Sequence, residues 1–358
     1  MQESCRQACA TLNIDLPRAV LALTPTPLEA MPNLGRELAL DLRVKRDDLT
    51  GLALGGNKIR QLEYYFGQAL AQGSTLVLVT GAIQSNYTRA TAAAAARLGL
   101  RCHVQLENRV PSMDSPFYRQ SGNVLLGDMY GASVSLYAGL DDEMGADAAI
   151  REIAARYRAQ GQVPYLIPLR PDSPPLGSVG YLHAAEELLA QHGNATHYVL
   201  ASGSGQTQAG LLFGLRSLGS QARVLGVSVR RDPRAQHQRV RAHCAALAAL
   251  LDRELVVAER DVEVFDGNVG TAYGLPDAGL LRLLMQVART DGLLLDPVYT
   301  GKAFAGLLRL REQGEIEAGA RVVFIHTGGL PAVFAYGPEF QAETGRHEPA
   351  GQSVGAMG

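Results

Sequence analysis

The sequence contains three lysines, and one of them is placed for covalent chemistry. A lysine amine can lose its proton and bond to a carbonyl carbon, which an arginine guanidinium cannot do. Lys58 ends the stretch Gly55–Lys58 (Gly-Gly-Asn-Lys), whose glycines allow a ligand to approach the backbone closely. The alternative is an ordinary surface lysine near a helix start. Of the three lysines, Lys58 is the one that we predict could form a Schiff base.

The other two lysines are predicted to have ordinary roles. Lys45 lies in a predicted strand, Asp41–Arg46, and is expected to pair with Asp47 or Asp48. Lys302 opens a predicted helix, where a solvated charge is expected.

Three further polar or glycine-rich stretches follow predicted strands. Ser202–Thr207 (Ser-Gly-Ser-Gly-Gln-Thr) leads into a predicted helix, whose free N–H groups and dipole favour an anion such as phosphate. A glycine turn needed only for chain reversal explains the same residues equally well. Gln84–Tyr87 opens another helix, where Ser85 and Asn86 are either simple caps or part of a carboxylate site. The third stretch is His326–Gly329.

Two tyrosines lie in turns beside glycine rather than on an apolar stripe, Tyr273 and Tyr299. A buried tyrosine whose hydroxyl is hydrogen-bonded is one interpretation. The other is a ring stacked on a planar cofactor, with a phenol close enough to exchange a proton. The residues alone leave both interpretations open.

The elements that must position these residues indicate the α/β fold class. Short apolar runs, typical of parallel strands covered on both faces, alternate with stretches of helical periodicity. The predicted strands are Leu76–Thr80, Cys102–Leu106, Ser133–Tyr137, Pro164–Ile167, Tyr198–Ala201, Val224–Val229 and Arg321–Ile325. The predicted helices are Arg60–Leu70, Ser85–Leu98, Ala146–Ala159, Thr207–Leu218, Arg234–Leu251, Ala278–Arg289 and Gly301–Gln313. Ligands of open α/β sheets bind beyond the carboxyl ends of strands, where these polar stretches lie.

Composition narrows the classes of function. The 33 Lys and Arg residues against 35 Asp and Glu give a formal net charge of −2, which argues against nucleic acid and polybasic membrane binding. Four scattered cysteines favour a reducing cytoplasm, and no apolar run is long enough to span a membrane. No His or Cys spacing suggests a metal site. A nucleoside triphosphate and a dinucleotide are disfavoured, because the Walker lysine and the acidic ribose partner are missing.

Taken together, these motifs resemble the tryptophan-synthase-β-like, fold type II enzymes that use pyridoxal 5′-phosphate. Within that group the sequence is similar to the family of D-cysteine desulfhydrases and 1-aminocyclopropane-1-carboxylate (ACC) deaminases. The resemblance implies two open, twisted, mostly parallel sheets covered by helices. The matching segments, in the same order along the chain, are Pro25–Leu28, Lys45–Asp48, Gly55–Glu63, Gln84–Asn86, Ser202–Leu211, Tyr273–Pro276, Asp296–Lys302 and Thr327–Tyr336.

The resemblance implies a role for each candidate residue. The implied catalytic residues are Lys58, Ser85, Tyr273 and Tyr299. The implied cofactor-binding residues are Lys58, Asn57, Asn86, Ser204, Gly205, Gln206, Thr207, Tyr299 and Thr327. The implied substrate-binding residues are Ser85, Asn86, Tyr87, Tyr273 and Thr300.

Within these sets the individual roles differ. Lys58 would hold the pyridoxal as a Schiff base and move protons at the substrate α-carbon, and the Ser204–Thr207 loop would bind the cofactor phosphate. Asn86 would bond the pyridoxal 3′-oxygen, while Ser85 would help to bind the substrate carboxylate. The remaining implied contacts are stacking of Tyr299 on the pyridine ring, Tyr273 facing the substrate, and Thr327 at the ring nitrogen.

Two positions favour the desulfhydrase branch of this family. ACC deaminases carry Glu after the second tyrosine and Leu before the Gly-Gly pair, where this sequence has Thr300 and Thr327. The resemblance therefore implies α,β-elimination and deamination of a small β-substituted amino acid, first D-cysteine to pyruvate, sulfide and ammonia. The alternatives are an L-cysteate sulfo-lyase, an ACC deaminase, and a pyridoxal phosphate-binding protein with little activity.

The sequence departs from the family pattern in several places. The family reads Gly-Asn-Lys-x-Arg-Lys, whereas this chain has Ile59 at x and Gln61 in place of the second lysine, which would be a phosphate counter-charge. Gln206 stands at a usually small position of the phosphate loop. If Tyr87 and Arg170 reach the pocket, the substrate would carry an anionic or larger β-substituent. Arg170 belongs to Leu169–Ser173, including Arg170–Asp172, which replaces a glycine-rich turn.

The family pattern also implies the architecture. Residues 1–59 and 171–340 would form a discontinuous large cofactor-binding domain, residues 60–170 a small inserted α/β domain, and residues 341–358 a flexible tail. The active site is expected between the two domains. A cytoplasmic homodimer acting on a small amino acid is expected by the same resemblance.

Overall fold

The computed structural model describes residues 11–168, 173–266 and 272–345. Ten strands form two sheets: β1 Leu28–Ala30, β2 Asp41–Lys45, β3 Leu76–Ala82, β4 Arg101–Glu107, β5 Ser133–Tyr137, β6 Pro164–Leu166, β7 His197–Ser202, β8 Arg223–Ser228, β9 Glu263–Asp266 and β10 Arg321–Ile325. The described helices are α1 Pro32–Leu38, α2 Asn57–Ala71, α3 Asn86–Arg97, α4 Pro116–Gln120, α5 Gly122–Met129, α6 Glu143–Ala159, α7 Leu176–His192, α8 Gln206–Ser217, α9 Pro233–Leu250, α10 Ala278–Asp291, α11 Thr300–Glu312, α12 Leu330–Ala335 and α13 Gly337–Thr344. Short 3₁₀ turns cover Asp47–Leu49, Leu52–Leu54 and Glu259–Asp261.

The strands form one six-stranded and one four-stranded sheet. The larger sheet has the order β1-β2-β10-β7-β8-β9, and only its β1–β2 pair is antiparallel. The smaller sheet, β5-β4-β3-β6, is parallel throughout. Every residue of β3 is buried, as expected for a parallel strand covered on both faces. The predicted α/β class with two mostly parallel sheets is confirmed.

Helix α7 lies between the elements that carry the candidate site. It packs against both α2, which begins beside Lys58, and α8, which follows the Ser202–Thr207 loop. Its residues are apolar or small on nearly all sides, and such a helix is buried without showing a one-sided period. That is why helical periodicity did not predict α7.

The other elements that the sequence did not predict are the short helices α1, α4, α5, α12 and α13 and two edge strands. The short edge strands β1 and β9 carry no long apolar run and were not predicted. Helix α13 ends at Thr344 and so includes the first residues of the segment 341–358, which we expected to be a flexible tail. That expectation stays a prediction. Residues 346–358 and Arg170 lie outside the described residues. The domain boundaries at residues 59/60 and 170/171 remain a prediction.

None of the described helices is both long and apolar enough to cross a membrane. Within the same residues, no three His, Cys, Asp or Glu side chains are grouped so that they could hold a metal ion.

Candidate active site

A cleft of about 910 Å³, counting the part open to solvent, lies where the two sheets meet. The carboxyl ends of β3 and β7, one from each sheet, form its floor. Most of the predicted site residues line it: Asn57, Lys58, Ser85, Asn86, Tyr87, Ser204, Gly205, Thr207, Tyr273, Tyr299 and Thr327.

Lys58 stands in the first turn of α2, and backbone contacts fix that turn. The N–H of Asn57 donates to the carbonyl of Thr327 at 3.0 Å. Gly56 has φ +115°, and a Cβ on Gly328 would lie only 2.7 Å from the Gly56 Cα. Both residues must therefore be glycine for the two loops to touch, and this contact sets where the lysine begins.

The Lys58 amine is held in a partly desolvated environment. Its Nζ lies 3.4 Å from Gln61 Oε1 and 5.2 Å from the ring centroid of Tyr87. Burial lowers the pKa of Lys58 to about 8. A substantial fraction of the amine is therefore unprotonated near neutral pH, unlike that of a surface lysine.

The loop before α8 offers donors to an anion. Gly205 precedes the helix with φ +87°, a conformation that favours glycine. The Thr207 hydroxyl accepts hydrogen bonds from Asn57 Nδ2 and from Gln61 Nε2, both at 2.8 Å. Because both of its lone pairs are occupied, its own proton is left to donate toward the cleft. Gln61, the residue that departs from the family pattern, thus orients the hydroxyl instead of supplying a charge.

Gln206 does not reach the cleft wall with its side chain. Its Nε2 donates to the hydroxyl of Tyr65 at 3.1 Å, and that hydroxyl lies 3.3 Å from Gln206 Oε1. The side chain is buried on the far side of the loop, so any contact that Gln206 makes with a cofactor is limited to its backbone.

The start of α3 presents an amide donor. Ser85 is the N-cap, and its Oγ accepts from the N–H of Tyr87 and of Thr88. Asn86 Oδ1 accepts from Arg89 Nη1 at 3.1 Å and from Asn123 Nδ2 at 3.1 Å. Since a guanidinium only donates, the oxygen of Asn86 must face Arg89, which leaves the N–H₂ end as the donor to a ligand oxygen.

Tyr87 contributes its ring rather than its hydroxyl. The ring lies beside Lys58, while the hydroxyl is buried and has no hydrogen-bond partner in the described part of the chain. Burial raises the pKa of Tyr87, and nearby phenols of Tyr65 and Tyr165 add to the effect. The prediction that Tyr87 shapes the pocket fits this placement.

Tyr273 and Tyr299 meet at the cleft wall. Their hydroxyl oxygens are 2.6 Å apart, and their rings form an edge contact with centroids 6.1 Å apart. The Tyr299 ring faces the loop at Gly203, where a Cβ would lie 3.6 Å from Tyr299 Cε1. Burial raises the pKa of Tyr299, so the phenol stays protonated. Each hydroxyl is hydrogen-bonded, as in the first interpretation, and both residues also line the cleft. Stacking of a tyrosine ring on a planar cofactor stays a prediction.

Thr300 lies outside the cleft wall, which the sequence did not predict. It is fully buried, and its hydroxyl donates to Asp296 Oδ1 at 2.7 Å. The hydroxyl oxygen of Thr300 also accepts from the backbone N–H of Asp296 at 2.8 Å. With its hydroxyl engaged in this way, Thr300 is not placed for the predicted substrate contact. Asp296 also accepts from the N–H of Tyr299, so this pair holds Tyr299 in position.

The ordinary roles predicted for the other two lysines are wrong. Lys45 is buried and donates to Glu187, 2.8 Å away, rather than to Asp47 or Asp48. Lys302 is also buried, and its Nζ donates to the carbonyl of Ala272 at 2.7 Å, next to Tyr273. It therefore fixes a cleft-lining turn instead of being a solvated charge.

Sequence reasoning missed four charged residues that line the cleft, Arg109, Glu143, Arg230 and Arg239. Arg109 pairs with Glu107 at 2.8 Å, whereas Arg230 and Arg239 both pair with Glu143. They come from different elements on opposite sides of the cleft. One signal was present in the sequence, the Arg230-Arg231 pair shortly after β8, but nothing linked it to the start of α6.

The donor set fits pyridoxal 5′-phosphate. A lysine of lowered pKa can bond to an aldehyde, a glycine loop at the start of α8 can hold a phosphate, and the Asn86 amide N–H₂ can donate to a ring oxygen. Aromatic rings stand on the walls between these groups.

Residues 20–328 match the sequence profile of a family described as pyridoxal-phosphate dependent enzyme. The chain belongs to this family. It is 42% identical over 326 residues to the D-cysteine desulfhydrase of Yersinia enterocolitica serotype O:8, covering 90% of this chain and 97% of the relative. It is 41% identical over 325 residues to that of Klebsiella pneumoniae, with the same coverage of 90% and 97%. The predicted cofactor, pyridoxal phosphate, is confirmed.

Solved structures place the fold in the same group. An ACC deaminase homologue superposes with a TM-score of 0.83 at 35% identity, covering 92% of this chain and 96% of that one. A fungal L-serine ammonia-lyase from Rhizomucor miehei has a TM-score of 0.63 at 17% identity over 90% of this chain and 98% of that one, which shows the shared fold alone.

Proposed function

We propose that this protein is a lyase that removes the β-substituent and the amino group of a small amino acid, with D-cysteine as the first substrate. With one water, D-cysteine would give pyruvate, sulfide and ammonia. The observation that carries the proposal is the Lys58 amine of lowered pKa facing the Ser202–Thr207 loop across one cleft. Relatives named D-cysteine desulfhydrase at about 40% identity support the substrate.

We assign separate roles in this reaction to the lysine, the phosphate loop and the tyrosine pair. Pyridoxal phosphate, when bound, acts as an electron sink for a carbanion at the substrate α-carbon. Lys58 bonds to its aldehyde carbon and then moves the α-proton, because an amine of pKa about 8 can both accept and release a proton near neutral pH. Ser204–Thr207 bind the phosphate. The Tyr273–Tyr299 hydroxyl pair can pass a proton to the leaving group at the β-carbon.

The other contacts are proposed from the geometry of α3 and β10. Asn86 donates to the ring 3′-oxygen through the amide end that Arg89 leaves free, and Ser85 binds the substrate carboxylate at the start of α3. Thr327, which lines the cleft beside the Lys58 turn, is the partner of the ring nitrogen. Tyr299 stacks on the pyridine ring.

The experiment that tests the function is a lysine assignment combined with kinetics. Borohydride reduction of the holoenzyme followed by peptide mapping should place the adduct on Lys58, with Lys45 and Lys302 as internal controls. Lys58→Ala should lower release of pyruvate and sulfide by at least about 100-fold. An adduct elsewhere, or retained turnover in the variant, would overturn the proposal.

Arg109, a cleft-lining arginine close enough to Tyr273 and Tyr299 to interact with them electrostatically, favours L-cysteate as a second candidate substrate, since a sulfonate is an anionic β-substituent. A panel of both enantiomers of cysteine and cysteate, with ACC added, separates the possibilities. A higher kcat/KM for L-cysteate or for ACC than for D-cysteine would replace the proposed substrate. Release of no product from any of them would favour a pyridoxal phosphate-binding protein with little activity.

We further propose the two-domain division at residues 59/60 and 170/171, a homodimer and a cytoplasmic location, all on the family resemblance. Light scattering of the purified protein at several concentrations tests the dimer, and a monomer mass throughout would reject it.

A further inference from the structure

Two carbonyl groups of the loop between β7 and α8 accept hydrogen bonds from arginines. Arg231 Nη1 donates to the carbonyl of Gly203 at 2.9 Å. Arg239 Nε donates to the carbonyl of Ser204 at 2.9 Å, and His243 Nε2 lies 3.1 Å from the same oxygen. Both arginines therefore fix the direction of a peptide group.

The direction of these peptide groups matters for anion binding. In a planar trans peptide, the carbonyl and the N–H of the following residue point in opposite directions. Because the Gly203 carbonyl faces Arg231, the N–H of Ser204 points away from that arginine. The N–H of Gly205 likewise points away from Arg239. Ser204 and Gly205 both line the cleft.

The positive charge at these two carbonyls comes from Arg231 and Arg239. Burial lowers the pKa of His243 to about 4, so His243 is a neutral donor. Gln61, on the other side of the loop, is neutral and contacts Thr207. Arg231 and Arg239 therefore supply the positive charge near this anion site that residue 61 does not.

A carboxylate from the other sheet holds these arginines. Glu143 begins α6, which packs on the four-stranded sheet, and accepts hydrogen bonds from Arg230, Arg231 and Arg239 at 2.9, 2.5 and 3.2 Å. Burial raises the pKa of Glu143, but the three arginines outweigh it and hold that pKa at about 2. The carboxylate is thus ionised at all working pH values.

We propose that Arg231 and Arg239 are positioning residues that aim the Ser204 and Gly205 N–H groups at the cofactor phosphate, and that Glu143 keeps both arginines in place from across the cleft. This inference rests on the proposed function, because the anion is the phosphate of pyridoxal 5′-phosphate. It assigns to the two arginines an effect on the phosphate end of the ligand and none on its aldehyde end.

The test compares two ligands that differ only in the phosphate. Apoprotein of Arg231→Gln, Arg239→Gln and Glu143→Gln is titrated with pyridoxal 5′-phosphate and with pyridoxal. Each arginine variant should bind pyridoxal 5′-phosphate about 10- to 100-fold more weakly, the effect of a charge-assisted hydrogen bond. Binding of pyridoxal should stay within about twofold, while the ³¹P resonance of the bound phosphate shifts. Glu143→Gln should give a smaller loss with the same ligand preference.

Arg230→Gln is the matched control, because in the described part of the chain Arg230 bonds Asp141 and Glu143 but no loop carbonyl. It removes the same charge from the same carboxylate and should leave the affinity ratio of the two ligands unchanged. An equal loss in this control, or an equal loss for both ligands in Arg231→Gln and Arg239→Gln, would overturn the inference.

Two conservative variants keep the test decisive if a glutamine variant fails to fold. Arg231→Lys and Arg239→Lys retain the charge and one donor, and should recover part of the pyridoxal 5′-phosphate affinity. If both lysine variants had the same ratio of pyridoxal 5′-phosphate affinity to pyridoxal affinity as the wild-type protein, the positioning role would also be rejected. Failure of the proposed function looks different, since the wild-type protein would then form no reducible adduct with either ligand at Lys58.

Discussion

Arg60 and Arg89 lie on adjacent helices and are both only 1% exposed, yet their surroundings are opposite in kind. Arg60 is bound by two carboxylates, Asp47 at 2.9 Å and Glu187 at 2.8 Å. The hydrogen bonds of Arg89 go to neutral groups in the described residues: the side-chain oxygens of Asn86 and Asn123 and the carbonyl of Gly55. Its Nε has no partner there.

The two surroundings shift the pKa of the two guanidinium groups in opposite directions. Burial opposes the charge of Arg60, but Asp47 and Glu187 outweigh it and raise the pKa of Arg60. For Arg89 burial dominates and lowers the pKa to about 10, as it lowers that of Lys58 to about 8. Arg60 is thus neutralised by two carboxylates, whereas no ion pair with a carboxylate is found for Arg89 or Lys58 among the described residues.

The largest effect that follows from this comparison is on stability. Asp47→Asn should lower the free energy of unfolding by about 3–5 kcal/mol, because it leaves a buried guanidinium without one of its carboxylates. Asp48→Asn, the neighbouring change at a partly exposed pair with Arg46, should cost within about 1 kcal/mol. Urea unfolding of both variants measures the two values, and equal losses would remove the distinction between the buried network and the surface pair.

A smaller effect, on binding rather than folding, is expected at Arg89. Arg89→Gln should weaken binding of pyridoxal 5′-phosphate about 10-fold, because the oxygen of Asn86 loses its charged donor and the amide is no longer oriented. Arg97→Gln, at the exposed end of the same helix, is the control and should leave the dissociation constant unchanged. If Arg89→Gln lowered the free energy of unfolding as much as Asp47→Asn does and bound the cofactor normally, the role of Arg89 would be structural, like that of Arg60.

The smallest expected effect is on the pH dependence of the rate at which Lys58 forms an adduct with an aldehyde. Because only the unprotonated amine attacks an aldehyde, the rate of adduct formation by the apoprotein should rise with pH and level off above about pH 8. Nα-acetyl-lysine, with an ordinary amine, should continue to rise toward pH 10. Stopped-flow mixing with pyridoxal gives both profiles, and a protein rate that still increases between pH 9 and 10 would show that Lys58 is solvated.

Sequence alone predicted the parts of the site that depend on local order. Lys58, Ser85 and the Ser202–Thr207 loop are each set by neighbouring residues, so a strand, a glycine turn and a helix start are enough to place them. Most central strands were also found, because continuous apolar runs show them directly.

The predictions that failed, and the contacts that were missed, concern residues whose partners the local sequence does not indicate. Nothing near Lys45 indicates Glu187, and nothing near Thr300 shows that its hydroxyl is turned to Asp296 and away from the cleft. The Glu143 contacts join opposite sheets, so no local pattern reports them. Helix α7 was missed for a different reason, since burial on nearly all sides erases the periodicity on which helix prediction relies.

The place of β10 has a consequence for how the protein is made. This strand is the last of the described strands along the chain, yet it lies between β2 and β7 in the middle of the six-stranded sheet. The loop that follows it touches the turn before Lys58. On the ribosome, the reactive amine therefore emerges before the strand whose following loop fixes its position, so its final placement waits until β10 has joined the sheet.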